Sequence, residues 1–294
     1  MKFGVCIPNY GKELSPDGLV RFANLAEELG YDSVWSTDHI LLSKGSNTPY
    51  ESIYESISTL FYVASKTEKV RVGVSSLVMA LRNPVIVAKE LATLDIFSSG
   101  RVMLATGAGW NVEEFNNLAA DFHQRGARLD ESIRLIRRLW ESKGSPVSFN
   151  GKYFKVNEGV FLPQPVQDKL NIWIAGSSEK AMKRASRLGD AWHPNVLPFD
   201  VFEGMVKKFR EIEKRLPICV RVAVLPGLKG NEYRGPQGEK RFALTGNAKD
   251  DRQAIDRLEK MGVEYCILAL NPNGLIPLQK QMDVMKNLSD LIAS

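Results

Sequence analysis

Residues 25–39 read LAEELGYDSVWSTDH, and they cover the end of a predicted helix, the strand that follows it and the polar residues after that strand. The helix begins at Ser15-Pro16, where a capping serine precedes a first-turn proline, and it ends at Gly30. Ser33–Ser36 follows as a short strand, and Asp38-His39 comes where that strand should stop. If the strand belongs to a parallel barrel, both side chains stand at the mouth where such folds carry their chemistry.

Short apolar runs alternate with helical patterns along almost the whole chain. The predicted strands are Phe3–Pro8, Ser33–Ser36, Val70–Leu77, Val102–Thr106, Asn171–Ala175, Ala191–Pro194, Ile218–Leu225 and Tyr265–Leu270. After the first helix, one ends near Ser65 and others span Pro84–Phe97, Glu179–Leu188, Val201–Lys214, Asp250–Met261 and Leu278–Ile292. This order predicts an α/β fold, a (β/α)8 TIM barrel in one domain over residues 1–294, with a doubly wound open sheet as the alternative.

Two insertions interrupt the alternation, at residues 143–169 and 226–249. In the first, Asn150-Gly151 lies between Val147–Phe149 and Tyr153–Val156, which predicts a tight hairpin. The second is rich in glycine, proline and charge, and this composition predicts a mobile loop. We expect insertions at the C-terminal face of the barrel, where they can act as lids. A loop without a catalytic role is the alternative for 226–249.

Composition excludes several classes of function. With 44% hydrophobic and 25% charged residues, the chain has the mixture of an ordinary soluble globular protein. The net charge of +5 is spread along the chain, so we expect no nucleic-acid partner and favour a small anionic ligand. No apolar run approaches the roughly 20 residues that span a bilayer, and residues 1–9 do not form a signal sequence. We expect no membrane contact and a cytoplasmic location.

The sequence also gives no support for a metal site or for a nucleophilic catalytic residue. Cys6, Cys219 and Cys266 lie far apart in apolar runs, without metal-ligand spacing, so we expect reduced core residues and no metal site. The chain contains no phosphate loop, no His-Glu-x-x-His and no Gly-x-Ser-x-Gly. Hydrolase and kinase functions therefore lack their usual motifs.

Small, aromatic and hydrogen-bonding residues follow the predicted strands and suit a wall for a flat ring. The candidate site residues are Asn9, Asp38, His39, Ser75, Ser76, Gly107, Gly109, Trp110, Asn111, Ala175, Gly176, Ser177, Ser178, Trp192 and His193. Gly176–Ser178 precedes a helix and predicts either a phosphate site or a simple cap. His39 is either catalytic or a buried structural imidazole, and Trp110 either stacks on a ring or seals the barrel top. Since Asp38 and His39 are adjacent, their side chains need not touch.

The ordered set of segments resembles the bacterial luciferase-like superfamily of flavin- and coenzyme F420-dependent oxidoreductases. Besides residues 25–39, the resemblance rests on LRNP at 81–84, AKELATLD at 88–95, SGRV at 99–102, GAGWN at 107–111, IAGS at 174–177 and LGDAW at 188–192. It implies a (β/α)8 barrel that binds FMN or the deazaflavin coenzyme F420.

The resemblance is strongest to the compact deazaflavin-dependent oxidoreductases and implies roles for the candidate residues. Asp38 would contact the ring, and His39 would lie beside its reactive face as the catalytic residue. A bulge with a cis Ser75-Ser76 bond would back the ring, and Gly176–Ser178 would hold the phosphate. Further cofactor contacts would come from Gly107, Gly109, Asn111 and Ala175. The substrate pocket would contain Asn9, Trp110, Trp192 and His193.

These roles give a leading hypothesis and two alternatives. The leading one is a coenzyme F420-dependent oxidoreductase that moves a hydride between the deazaflavin and a small organic substrate. The alternatives are an FMN-dependent monooxygenase that uses reduced flavin and oxygen, and a flavin-binding barrel without enzymatic activity. Trp110 stands where the deazaflavin sugar-phosphate dehydrogenases have a catalytic glutamate, so we expect a different substrate class. The relatives in this superfamily tend to be homodimers, and we expect the same here.

Overall fold

A closed parallel barrel dominates the computed structural model, which describes residues 1–46 and 48–291. Its strands are β1 (Lys2–Cys6), β2 (Ser33–Ser36), β3 (Arg71–Val78), β4 (Val102–Gly107), β5 (Val147–Asn150), β6 (Lys155–Gly159), β7 (Ile172–Ala175), β8 (Ala191–His193), β9 (Ile218–Val224), β10 (Glu232–Arg234), β11 (Lys240–Leu244) and β12 (Val263–Ala269). The barrel order is β1-β2-β3-β4-β7-β8-β9-β12, and β12 pairs with β1 to close it. The predicted (β/α)8 barrel is confirmed, and the open-sheet alternative is wrong.

Helices lie between successive barrel strands. They are α1 (Pro16–Glu28), α2 (Ser56–Ala64), α3 (Pro84–Phe97), α4 (Val112–Asn117), α5 (Arg125–Trp140), α6 (Glu179–Leu188), α7 (Phe199–Ile212), α8 (Ala248–Lys260) and α9 (Leu278–Leu288). Helix α1 begins as predicted, because Ser15 Oγ accepts a hydrogen bond from the Gly18 N–H at 3.0 Å. Ile292, the predicted end of α9, lies outside the described residues. No helix within the described ranges is long and apolar enough to cross a membrane.

Two apolar layers follow from the alternation of side chains along the strands. Val34 of β2 packs outward with the helices, whereas the neighbouring Trp35 points into the barrel. Inside, the indole of Trp35 packs on Trp173 at 5.1 Å between ring centroids and on Tyr265 at 6.4 Å. The three cysteines are buried and free, as predicted. Within the described residues these side chains fill the barrel interior, and a ligand-sized cavity opens at the mouth.

The insertion at residues 143–169 forms the antiparallel pair β5–β6. It follows α5 rather than a strand, and its turn is held against that helix. The Glu131 carboxylate accepts hydrogen bonds from the backbone N–H groups of Lys152, Tyr153 and Phe154 at 2.7–2.9 Å. None of its residues lines the cavity described below, so this insertion is a hairpin on the outer helix layer and not a lid.

The insertion at residues 226–249 contains regular structure that the composition does not predict. Strands β10 and β11 pair antiparallel, and β11 adds to the barrel sheet, with Ala243 opposite Ala223 and Leu244 opposite Val224. Ladder bonds to β9 thus hold this segment over the mouth of the barrel. The composition predicts a mobile loop here, and the structure adds two strands to it, because pairing with β9 determines the local structure.

Candidate active site

A cavity of about 580 Å³ opens at the carboxyl ends of the barrel strands. This volume lies within the roughly 300–1,000 Å³ typical of small-molecule sites. The structure brings most of the predicted residues together in its wall. These are Asp38, His39, Ser75, Ser76, Gly107, Gly109, Trp110, Ala175, Gly176, Ser177, Ser178 and His193.

Three predicted site residues do not line the cavity. Asn9 is buried and exchanges two hydrogen bonds with the backbone of Thr37, at 2.8 and 3.0 Å, which joins the ends of β1 and β2. Trp192 packs outward on Phe209 of α7, at 4.5 Å between ring centroids. Asn111 caps α4. In this structure the three residues belong to the framework around the cavity, and their predicted contacts with cofactor or substrate stay predictions.

The Asp38 carboxylate is occupied by the protein itself. One oxygen accepts hydrogen bonds from Ser56 Oγ at 2.8 Å and from the Arg82 guanidinium at 2.6 Å. The other accepts the Val78 backbone N–H at 2.8 Å. These contacts tie the end of β2 to α2 and to the end of β3. Asp38 therefore anchors the cavity wall, and its contact with the cofactor ring stays a prediction.

His39 forms a buried pair with an acid that sequence reasoning did not identify. Its Nδ1 lies 2.8 Å from Glu114 Oε2, and Glu114 Oε1 accepts the Ile40 backbone N–H at 2.6 Å. Asn111 Oδ1 in turn accepts the Glu114 N–H at 3.0 Å and fixes the start of α4. Because a carboxylate accepts hydrogen bonds, Nδ1–H is the donor of this contact, and Nε2 is the other ring nitrogen.

Aromatic rings enclose His39 within the cavity. Tyr50 stacks on the imidazole at 4.7 Å between centroids, and Trp110 meets it edge-on at 5.6 Å. Tyr10 in turn packs edge-on with Tyr50, at 4.9 Å between centroids. Burial raises the pKa of the Tyr50 phenol, so it remains neutral at physiological pH. The imidazole is thus confined to one orientation.

The floor of the cavity carries the bulge predicted in strand three. The Ser75-Ser76 peptide bond is cis, and the β3–β4 register shifts between Val74 and Leu77. Ser75 Oγ lies 2.9 Å from His193 Nε2, while His193 Nδ1 donates to the Cys219 carbonyl at 2.6 Å. Burial, with a contribution from the nearby Arg221 charge, lowers the pKa of His193 to about 4. His193 is therefore a neutral support for Ser75.

Gly176–Ser178 makes a turn that lines the cavity before α6. Gly176 has φ 128°, and an added Cβ would lie 2.9 Å from the Ala181 Cβ, so the turn requires glycine. Ser178 caps α6 through a 3.2 Å bond from the Ala181 N–H. The remaining first-turn N–H groups lack intrahelical partners and suit an anion.

Two arginines line the cavity beside this turn. Arg125 donates to the Gly109 and Phe122 carbonyls, at 3.2 and 2.8 Å, and Arg184 pairs with Asp130. Burial and the nearby charge of Arg184 lower the pKa of the Arg125 guanidinium. An anion placed here would relieve this repulsion. The donors fit the phosphate of a flavin or deazaflavin cofactor.

The β10–β11 pair supplies the roof. Tyr233, Gln237, Glu239 and Arg241 line the cavity from above, and Glu239 forms an ion pair with Arg241. Within the described part of the chain, no cluster of His, Cys, Asp or Glu side chains could hold a metal ion.

The sequence signature of the luciferase-like monooxygenases matches residues 1–227, more than half of the chain. This chain belongs to the luciferase-like monooxygenase family. A curated relative from Amycolatopsis mediterranei (strain U-32), named F420-dependent glucose-6-phosphate dehydrogenase, is 35% identical over 190 residues. That alignment covers 62% of this chain and 54% of the relative, so the chain spans about half the length of the curated protein it matches.

Solved structures share the luciferase-like barrel over nearly the full length. Monooxygenase RslO1 from Streptomyces bottropensis has a TM-score of 0.79 at 19% identity and covers 99% of this chain and 98% of its own. The coenzyme F420-dependent tetrahydromethanopterin reductase from Methanopyrus kandleri has a TM-score of 0.77 at 17% identity and covers 99% of both chains. At these identities the likeness shows the fold alone.

Several residues around the cavity are not among the candidates predicted from the sequence. Glu114 lies near the start of a short helix, where acids are common, so its sequence position does not distinguish it. Arg221 is different, because it is the one charged residue in the apolar strand β9, whose sequence is ICVRVAV. A lone charge inside such a strand is a usable signal for a functional residue. Tyr50 follows an irregular loop, and nothing in its local sequence points to His39.

Proposed function

We propose that this luciferase-like protein is a coenzyme F420-dependent oxidoreductase that moves a hydride between the deazaflavin and a small organic substrate. The observation that carries the proposal is the His39–Glu114 pair, held at 2.8 Å in the wall of a cavity whose floor is the Ser75-Ser76 bulge. An oriented imidazole beside a surface for a flat ring is the arrangement that proton-coupled hydride chemistry needs.

The cavity residues fit a cofactor with a ring at one end and a phosphate at the other. The Ser75-Ser76 bulge and Gly107 would support the ring, and the Gly176–Ser178 turn with Arg125 would hold the phosphate. When bound, the deazaflavin would supply the carbon that gives or takes the hydride. The protein contributes binding, orientation and exclusion of water.

His39 would handle the proton. With Nδ1–H held by Glu114, its Nε2 can accept a proton from a substrate hydroxyl during oxidation, or return it during reduction. Tyr50 and Trp110 restrict the imidazole to this orientation and keep water from it. Glu114 would stabilise the positive charge that the imidazole gains when Nε2 accepts the proton.

Similarity to an F420-dependent relative at 35% identity supports the deazaflavin over FMN. The test is titration of the apoprotein with oxidised coenzyme F420 and with FMN, with binding followed by fluorescence. Tight FMN binding without affinity for coenzyme F420 would contradict the proposal. Trp110 supports a substrate other than a sugar phosphate, so glucose 6-phosphate should give no F420 reduction.

An FMN-dependent monooxygenase is the second candidate, and the match of residues 1–227 to the luciferase-like monooxygenases favours it. Oxygen uptake separates the two functions, since a deazaflavin does not readily activate oxygen. Substrate-dependent oxygen consumption with reduced FMN would support the monooxygenase. Anaerobic substrate turnover with coenzyme F420 would support the oxidoreductase. A barrel that only binds flavin would show neither.

A further inference from the structure

Arg221 brings a positive charge to the floor of the cavity. Its guanidinium donates to the Ser75 carbonyl and, at 3.0 Å, to Thr37 Oγ1. Both acceptors are neutral. Across residues 1–46 and 48–291, no carboxylate oxygen lies within 4.0 Å of an Arg221 nitrogen. By contrast, Arg184 and Arg241, which also line the cavity, each pair with an acid.

The titratable groups that face Arg221 do not compensate its charge. They are Cys6, Tyr10, Tyr50, Tyr233 and His193. Burial raises the pKa of Cys6, Tyr10 and Tyr50, so these groups stay protonated and neutral near pH 7. His193 is neutral because its pKa is lowered. Arg221 is therefore a cation surrounded by dipoles.

Arg221 is half-buried in the wall of an open cavity, where contact with solvent can stabilise an unpaired cation. A ligand that displaces this solvent removes the solvation of the guanidinium, and an unpaired buried charge is costly. The occupant that avoids this cost carries negative charge next to Arg221. The floor of the cavity thus selects an anionic group, separately from the phosphate site at the Gly176–Ser178 turn.

We propose that Arg221 is the counter-charge of the cofactor ring and favours the ionised form of bound coenzyme F420. This inference rests on the proposed function. Coenzyme F420 carries an acidic hydroxyl on its ring system; breaking that O–H bond releases the proton to solvent and spreads negative charge over the ring. The Ser75 carbonyl that Arg221 holds belongs to the cis peptide proposed to back the ring.

The experiment is a pH titration of the visible absorbance of coenzyme F420, free and bound at saturation. A cation within about 4–6 Å lowers the pKa of an acid by about 1–3 units. We expect the ring hydroxyl to ionise at least about 1 pH unit lower when bound to the wild-type protein than when free. In the R221M and R221Q complexes that shift should be lost, and R221K should give an intermediate value.

R125M is the matched control, because it removes a cavity guanidinium beside the phosphate site. It should weaken coenzyme binding and leave the ionisation of the bound ring unchanged. If the ring ionises alike in the free and wild-type-bound states, or alike in folded R221M and wild type, the inference is overturned while the proposed function stands. Failure of the wild-type protein to bind coenzyme F420 would overturn both. If R221M does not fold, R221Q and R221K provide the comparison with the wild type.

Discussion

Nδ1 of His39 and Oε2 of Glu114 lie 2.8 Å apart, and both side chains are almost completely buried. The contact joins the end of β2 to the beginning of α4, 75 positions later in the chain. Because Glu114 also accepts the Ile40 N–H, it fixes the backbone beside His39 as well as the imidazole. Among the contacts around the cavity, this pair is the one that we expect to take part in the reaction.

Removing either member of the pair should affect turnover more than binding. We expect H39A to lower kcat by about 10²–10⁴, the usual contribution of a general acid or base, with little change in cofactor affinity. E114Q should lower kcat by at least about 10-fold and alter its pH profile, because the amide can donate to Nδ1 and reverse the tautomer. Steady-state kinetics across pH measures both effects.

The control for E114Q is E113Q, which changes an exposed acid on the same helix. It should retain wild-type kinetics and thermal stability. Wild-type kcat in E114Q, or an equal loss in E113Q, would show that the buried pair has no role in turnover.

Asp38 should contribute to stability and not to ring affinity. Its carboxylate pairs with Arg82, which also pairs with Glu55, and it accepts the Val78 N–H, so D38A removes one of two acids from the guanidinium and leaves a buried backbone donor without its partner. Because Glu55 still compensates the guanidinium, we expect the unfolding free energy to fall by about 1–3 kcal/mol, the usual cost of a buried donor without a partner. Urea denaturation measures this loss.

A double-mutant cycle isolates the contact between Asp38 and Arg82. D38N and R82M should each destabilise the protein, and their combination should cost less than the sum, because each single substitution already removes the contact that the two side chains share. A D38N protein of normal stability that binds the cofactor poorly would instead support the ring contact expected from the sequence.

Elements with a strong local signal were predictable from the sequence. The range Ser33–Ser36 and the helices Pro84–Phe97 and Glu179–Leu188 coincide with the observed elements, because capping residues and apolar spacing determine them locally. Strand β11 was not predictable, since its sequence contains two charged residues and its structure depends on pairing with β9. Tertiary context overrides propensity at such places.

The candidate site also has features that the local sequence predicts and features that depend on tertiary contacts. Strand ends identify the cavity wall, because parallel strands bring their carboxyl ends to one face. The hydrogen-bond partner of a side chain cannot be predicted in this way. That Asp38 would meet Arg82, and His39 would meet Glu114, depends on distances across the barrel that no local pattern encodes.

Arg125 should determine affinity for the cofactor phosphate. A hydrogen bond to a charged group contributes about 1.5–3 kcal/mol, so R125M should raise the dissociation constant of coenzyme F420 by about 10- to 100-fold, and less at high salt. Isothermal titration at two ionic strengths measures this. K183M is the control, because Lys183 is exposed on α6 and pairs with Glu179 outside the cavity. An equal loss of affinity in R125M and K183M would show that the overall charge of the protein, and not a contact with Arg125, determines binding.

His193 should make the protein less stable in mild acid. Burial and the nearby Arg221 charge lower its pKa from 6.5 to about 4 in the folded protein, whereas the unfolded chain keeps the ordinary value. Between these two pH values the unfolded chain binds more protons, so the unfolding free energy falls as the pH falls. Above about pH 6.5 the unfolding free energy should not depend on His193. Below about pH 4 it should be lower by roughly 3 kcal/mol because of this histidine.

Urea denaturation of the wild type and H193Q across this range isolates the effect, because other titrations cancel in the difference. H193Q keeps an amide that can donate to the Cys219 carbonyl and accept from Ser75, and its stability should fall less steeply with acid. H123Q is the control, since His123 is exposed, and its curve should parallel that of the wild type. Parallel curves for H193Q and the wild type would mean that protonation of another buried group causes the acid sensitivity.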